Sequence, residues 1–370
     1  TDNSVKVIWP NGQMQQIEDV SSNQLLIVKY DALKTTSNHI DETDYGFTEV
    51  SNIIKPTFKH TEDVYDDFEI EPLLPHRYSQ LGAKVATGDI NSDGLEDFFI
   101  GNAKGSSGAM YIQDKDGEFT LKTGPWEKDL QYEDTGVLLF DADNDKDLDL
   151  YVVNGGNHTS VHKDYYQDRL YINTPQGFMK SAKVLPEITA SGQEVATADY
   201  DNDGDLDLFV GGRIVPGKYP FPAQSYILRN DGGKDLDLKF TNVTEKIAPE
   251  LSKAGMVTSA VWDDFDNDNK MDLIVTGEWM PISFFKNNGQ KFTDVTDDLG
   301  FTNSIGWWYS LEKADVDADG DMDYLVGNLG LNYKYKASEE TPFEVYANDF
   351  DENGSMDIVL SYKKKGTILP

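Results

Sequence analysis

Short apolar runs recur along most of this chain, each following a turn dense in Asp, Asn and Gly. The runs are Phe98 to Ile100, Leu150 to Val153, Leu208 to Val210, Leu273 to Val275, Tyr324 to Val326 and Ile358 to Leu360. Each turn is preceded by a short alternating or apolar stretch, such as Lys84-Val85-Ala86-Thr87 or Glu194-Val195-Ala196-Thr197. Apolar and β-branched residues flanked by turn formers predict strands. The repeating unit is therefore strand, acidic loop, strand.

A second element follows four of the units: an aromatic strand, an Asn/Asp-Gly turn, then Phe. It spans Tyr111 to Phe119, Tyr171 to Phe178, Tyr226 to Phe240 and Phe284 to Phe292. Such turns supply the positive φ that a hairpin needs. From that Phe to the next acidic loop the chain runs 22, 21, 24 and 23 residues. A constant interval means one supersecondary unit of four strands, repeated, and units of this size are propeller blades. Gly46-Phe47-Thr48-Glu49-Val50 matches the fourth strands Lys239 to Val243 and Lys291 to Val295. It is thus expected to complete the last blade and close the ring, which would remove an open sheet edge. The predicted fold is all-β: a propeller of four-stranded blades, seven in number with six as the alternative, its last blade truncated. Residues 46–370 form it, with an insertion from His60 to Tyr78, after a linker at 35–45. Residues 1–34 form a separate β segment, with strands expected at Val5 to Trp9 and Leu25 to Val28, joined through Pro10-Asn11-Gly12.

The acidic loops are Asp89 to Asp97, Asp141 to Asp149, Asp199 to Asp207, Asp264 to Asp272, Asp315 to Asp323 and Asp349 to Asp357. Calcium takes six to eight oxygens, mixing carboxylates with backbone carbonyls. Side chains at positions 1, 3, 5 and 9 with a carbonyl at 7 supply that shell. The ligand sets are Asp89, Asn91, Asp93, Leu95 and Asp97; Asp141, Asp143, Asp145, Asp147 and Asp149; Asp199, Asp201, Asp203, Asp205 and Asp207. The remaining three are Asp264, Asp266, Asp268, Lys270 and Asp272; Asp315, Asp317, Asp319, Asp321 and Asp323; Asp349, Asp351, Asn353, Ser355 and Asp357. Gly at position 6 permits the sharp turn in four loops, and Lys146 and Asn269 replace it in the other two. An EF-hand would need Glu at position 12. That position is Ile100, Val152, Val210, Val275, Val326 or Leu360, so the EF-hand is excluded.

Composition sharpens this reading. The net charge of −34 argues against nucleic acid as a partner. Of 66 Asp and Glu residues, 27 lie in the six loops, which ties much of the acidity to the proposed metal. There is no cysteine, which removes disulfides and thiolate chemistry. No run of about 18 apolar residues exists to span a membrane. Thr1 and the abrupt end at Leu369-Pro370 suggest a piece of a larger polypeptide.

Stretches such as Gly88-Asp89-Ile90-Asn91-Ser92-Asp93-Gly94-Leu95-Glu96-Asp97-Phe98-Phe99-Ile100-Gly101 resemble FG-GAP/VCBS repeats, as in integrin α propellers. Val7-Ile8-Trp9-Pro10-Asn11-Gly12 with Asn23-Gln24-Leu25-Leu26 resembles the end of an ASPIC/UnbV domain. The combination is similar to cartilage-acidic-protein-like and bacterial surface FG-GAP proteins. The resemblance implies a secreted or cell-surface protein, free or lipoprotein-anchored. It names no reaction.

A four-stranded blade sends its 1–2 turns to one face and its 2–3 and 4–1 connections to the other. Calcium, in up to six sites, should therefore line one face. Long connections should present His76, Arg77, Arg213, Tyr219, Trp279, Trp307, Trp308, Asn332 and Tyr333 on the opposite one. Aromatics with Arg and Asn suit a glycan or protein ligand. The expected function is a calcium-binding adhesion module. The alternative is a polysaccharide-cleaving enzyme, lyase or hydrolase, using His76, Arg77, Arg213 and Tyr219 over the channel.

Overall fold

The computed structural model describes residues 4–9, 13–21, 25–31, 35–37, 48–159, 161–181, 183–234, 237–354, 356–364 and 367–369. The chain divides into two compact units, Thr1–Ser51 and Asn52–Pro370. Pro10 to Gly12, Asn23, Gln24, Gly46, Phe47 and Ser355, which carry parts of the expectations above, lie outside the described residues.

The first unit is an antiparallel sheet of β1 (Val5–Ile8), β2 (Gln13–Ile17) and β3 (Thr35–Ser37), in that order. Leu25 to Val28 is not the strand expected from its apolar run. The edge of β2 pairs with β3 instead, leaving the run without a partner strand among the described residues and Leu25 87% exposed.

In the second unit, β4 (Ile54–Lys55) runs parallel to β8 (Phe119–Lys122) at the edge of a sheet. That sheet continues through β7 (Ala109–Gln113) and β6 (Asp97–Ile100) to β5 (Val85–Gly88). Two four-stranded antiparallel sheets follow. The first holds β9 (Asp134–Phe140), β10 (Asp149–Asn154), β11 (Arg169–Ile172) and β12 (Met179–Ser181). The second holds β13 (Ser191–Ala198), β14 (Asp207–Ile214), β15 (Tyr226–Asn230) and β16 (Phe240–Asn242). Next come β17 (Met256–Asp263), β18 (Asp272–Met280), β19 (Ser283–Asn287) and β20 (Phe292–Asp294). The end of β18 also pairs with β21 (Gly306–Ala314), which pairs with β22 (Asp323–Asn328). A last sheet joins β23 (Phe343–Asn348), β24 (Asp357–Lys364) and β25 (Thr367–Leu369).

These strands match the strand–loop–strand unit and its Phe-led fourth strand in the first four repeats. β10 and β14 are buried along their whole length, which is why they read as continuous apolar runs rather than alternations. Apolar cores lie between neighbouring sheets: Tyr151, Val153 and Leu170 pack with Leu208, Val210 and Leu228. First strands of successive units touch, β5 to β9 to β13 to β17 to β21. Gly136 in β9 permits one such approach, because a Cβ there would sit 2.8 Å from the Gln193 carbonyl oxygen of β13.

Two expectations fail: the closing strand and the fifth repeat. Thr48 to Val50 forms no strand and is exposed, and no closed sheet forms among the described residues. Its Phe-Thr-Glu-Val pattern is locally that of a fourth strand, but pairing depends on a distant partner, and Ile54–Lys55 pairs here instead. The fifth repeat has two strands rather than four among the described residues, because Asn328 leads through a single connection into β23. Its outer face is correspondingly open, with Leu325 of β22 59% exposed.

Candidate functional site

All six acidic loops share one backbone build. The carboxylate at position 1 accepts the N–H groups of positions 5 and 6, at 2.7 to 3.1 Å. In order these pairs are Asp93 and Gly94, Asp145 and Lys146, Asp203 and Gly204, Asp268 and Asn269, Asp319 and Gly320, and Asn353 and Gly354. Positions 4 and 6 both lie in the left-handed region in every loop, including Lys146 at φ 79° and Asn269 at 63°. The turn thus forms even where glycine is absent, at a backbone cost that Asn bears better than Lys. Wrapping the chain around the first carboxylate draws the remaining acids inward.

The position-9 carboxylates tie each loop down. One oxygen accepts the position-2 N–H, as from Ile90, Ala142 and Tyr200. The other accepts a third-strand N–H: Gln113 for Asp97, Asn173 for Asp149, Asn230 for Asp207 and Asn287 for Asp272. Burial, with the charges of Asp143 and Asp147, pushes Asp149 up to about 8. Burial likewise raises Asp207 to about 7 and Asp272 to about 6. Asp147 rises to about 6 through burial and the crowding of Asp145, Asp143 and Asp141.

This donor set fits calcium. Carboxylate oxygens of Asp141, Asp143 and Asp149 lie within 4.8 Å of one another. So do those of Asp199, Asp201 and Asp203, of Asp264, Asp266 and Asp272, of Asp315, Asp317 and Asp323, and of Asp349, Asp351 and Asp357. Oxygens sharing one ion at 2.3 to 2.6 Å lie no more than about 5 Å apart. The first loop carries Asn91 where the others have Asp at position 3. The fourth loop differs electrostatically: Lys270 Nζ lies 3.0 Å from Asp268 Oδ2, and Lys286 pairs with Asp266. Two ammonium groups already offset its acids.

The residues expected to face a ligand do not share one surface. Arg213 and Tyr219 are buried, 1% and 0% exposed, and this corrects their assignment to an open ligand surface. Arg213 pairs with Glu278 at 2.8 Å and donates to the Met256 carbonyl at 3.0 Å. Glu278 also accepts from Tyr78 at 2.5 Å and from Tyr309, and lies 2.8 Å from His76. Burial alone would raise the Glu278 carboxyl, but the Arg213 and His76 charges hold it well below the usual range. The insertion causes this: Tyr78 and Leu74 pack with Ile214, Tyr219, Met256 and Ile358. Glu71 and Asp67, on the same segment, share Asn157 Nδ2, each at 2.9 Å. Long connections that looked free are therefore held by the insertion. Arg77 remains exposed, and Trp308 turns into an apolar cluster with Ile282 and Phe284.

Trp279, Trp307 and Tyr333 instead line a cavity of about 820 Å³, with Tyr335, Phe343 and Asn328. Asn332 is exposed and outside that lining. Trp307 pairs with Glu278 in register, and Ala314 pairs with Asp323, so the cavity lies at the end of β21 and β22 away from their acidic loop. Trp279 has φ 60°, a strained value for a bulky side chain, where the β18–β21 register shifts. Its indole N–H donates to Tyr219 at 2.5 Å.

Glu133, buried near Glu62 and Asp63, is pushed up to about 8, chiefly by burial, against an ordinary 4.5. A raised carboxyl pKa means the folded state holds its proton more tightly than the unfolded chain. The resulting penalty is absent below the ordinary value, grows as pH rises between 4.5 and about 8, and is complete above that window. Glu133→Gln removes it. Melting curves should show the variant more stable than wild type at alkaline pH and the gap vanishing toward acid. A gap independent of pH would refute this assignment.

The family model described as FG-GAP-like repeat matches residues 89–152, 141–210 and 264–326, together half of the chain. The chain belongs to this family. It is 28% identical to cartilage acidic protein 1 of Homo sapiens over 211 residues, 56% of this chain and 30% of that protein. To the Mus musculus protein of the same name it is 27% identical over 210 residues, 56% of this chain and 31% of that one. The Xenopus tropicalis protein is 27% identical over 210 residues, 55% of this chain and 30% of that one. The chain spans less than a third of the length of these curated relatives. No helix among the described residues is long and apolar enough to cross a membrane.

Proposed function

We propose that this chain is a calcium-loaded, extracellular binding module. The second unit, Asn52–Pro370, is a β-propeller of seven blades on this reading, with calcium in the strand 1–2 loops. The UnbV-like β segment runs on to β3 (Thr35–Ser37), so the linker expected at 35–45 does not begin at Thr35. The observation that carries the metal reading is the same hydrogen-bonded acidic loop built six times. Bound calcium supplies a divalent charge that neutralises crowded carboxylates and holds the loops closed. Loops Asp199–Asp207 and Asp315–Asp323 carry acids at every odd position with Gly at position 6, so they should bind best; Asp264–Asp272, with its lysine pair, should bind weakest.

The ligand reading rests on the aromatic cavity, and a glycan suits it best. Sugar rings stack their C–H faces on aromatics while nearby amides and hydroxyls read the ring substituents. Trp279, Trp307 and Tyr333 supply the first, and Asn303, Asn328 and Ser338 the second. Calcium-loaded protein should bind a subset of a glycan array. Tyr333→Ala, at a half-buried position, should weaken that binding about tenfold, as expected for loss of one stacking ring, with calcium content unchanged. Unaltered glycan affinity, or binding that follows mutation of the acidic loops instead, would contradict the placement. The polysaccharide-cleaving alternative loses two of its four candidate side chains to the interior, since Arg213 and Tyr219 are buried.

A further inference from the structure

The third-strand residues that hold the position-9 carboxylates have a second attachment. Asn173, whose N–H is held by Asp149, donates from Nδ2 to the Ile90 carbonyl oxygen at 3.2 Å. Ile90 is position 2 of the preceding loop. Asn230, held by Asp207, donates to the Ala142 carbonyl at 2.8 Å, again position 2 of the preceding loop. Asn287, held by Asp272, donates to the Tyr200 carbonyl at 2.9 Å, repeating the arrangement a third time. Asn230 and Asn287 also donate to position 8 of their own loops, at Leu206 and Met271, at 3.3 and 3.2 Å. Their side-chain oxygens accept from Gly232 and Gly289 in the following turn, at 3.0 and 2.9 Å. All three asparagines are buried. The first repeat has no preceding acidic loop in this chain, and there the residue is Gln113. The second and third loops touch directly as well, since Asn144 Nδ2 lies 3.3 Å from the Gly204 carbonyl oxygen.

We infer that Asn173, Asn230 and Asn287 couple the first four acidic loops into one cooperative calcium-binding array. The physical link is short. Each position-9 carboxylate is shared between its loop's donor set and the asparagine N–H. The same asparagine fixes a carbonyl lying between positions 1 and 3 of the neighbouring loop. Ordering one loop therefore fixes part of the next, which then loses less conformational freedom on binding. By linkage the effect is reciprocal between neighbours. Among the described residues, the fifth repeat contributes no third strand, so loops Asp315–Asp323 and Asp349–Asp357 stand outside the array. These are positioning residues, because their side chains act on backbone carbonyls and not on the ion.

The inference rests on the calcium reading above, and one titration separates the two. Native mass spectrometry of the full chain at sub-saturating calcium resolves how many ions each molecule carries. Coupling predicts molecules with few ions and molecules with several, with intermediates depleted relative to independent binding. Asn230→Ala should restore intermediates and lower the affinity of the array by about fivefold or more, the usual lower range of coupling between sites. Asn173→Ala, which removes a single side-chain bond to the neighbouring loop, is the milder second variant. A Hill coefficient falling toward one, with an unchanged circular dichroism spectrum at saturating calcium, distinguishes lost coupling from lost folding. A statistical ion distribution in the wild type would overturn the inference whatever the variants do. Calcium binding by the wild type with no change in either folded variant would overturn it too. Absence of any bound calcium would overturn the metal reading itself.

Discussion

Chelating calcium is expected to lower the melting temperature of this chain by roughly 10 °C. Extracellular calcium modules bind at about 10⁻⁴ to 10⁻³ M. A site held at ten times its dissociation constant adds about 1.4 kcal/mol to the native state. Five good loops then contribute about 7 kcal/mol, a large share of ordinary protein stability. Without the cation, carboxylates in five of the six loops face one another at close range, and burial already raises Asp149 to about 8 and Asp207 to about 7. A melting temperature that does not respond to exhaustive chelation and recalcification would contradict this account. Magnesium should substitute poorly, because it demands octahedral geometry and gives up water reluctantly.

Arg213→Ala is expected to cost about 3 to 5 kcal/mol, with or without any ligand. The substitution leaves the buried Glu278 carboxylate without its guanidinium partner, with His76 and two tyrosine hydroxyls as its remaining hydrogen-bond partners. Removing both charges should be milder. The double variant Arg213→Met with Glu278→Gln should lose less than the sum of the single losses, by an amount measurable in a double-mutant cycle. Near-wild-type stability for Arg213→Ala would mean that the Arg213–Glu278 pair holds nothing together. The same logic moves Tyr219 from ligand contact to core: truncating it opens a cavity and should destabilise the fold by about 3 to 5 kcal/mol.

The loops were legible because their chemistry is local. Alternating acids, a left-handed sixth position and a flanking apolar run all fall within about twelve residues, and the same build appears in all six. Lys146 reaches φ 79° in spite of its side chain, so the spacing of the acids was a stronger guide than the glycine. The buried cluster around Arg213 and Glu278 was illegible for the opposite reason. His76 and Glu278 stand 202 positions apart, and no local pattern announces that an insertion will seal the long connections. The failed closing strand teaches the same thing, since Thr48 to Val50 carries the right local pattern without a partner edge. The coupling asparagines lay between these extremes. Tyr171-Ile172-Asn173, Leu228-Arg229-Asn230 and Phe285-Lys286-Asn287 repeat at the ends of third strands, and Tyr111-Ile112-Gln113 breaks the series at the first repeat. That regularity is visible in sequence, but its meaning depends on which loop lies alongside.

The most direct test of the central claim is the number of calcium ions bound at equilibrium dialysis against millimolar free calcium, for the wild type and for Asp203→Ala. Asp203 sits at position 5 of the third loop, where its carboxylate groups with those of Asp199 and Asp201. The expected result is one ion for each well-formed loop in the wild type, with weaker occupancy at Asp264–Asp272, and one ion fewer in the variant. A wild type that retains no calcium, or a variant that retains the full number, would contradict it.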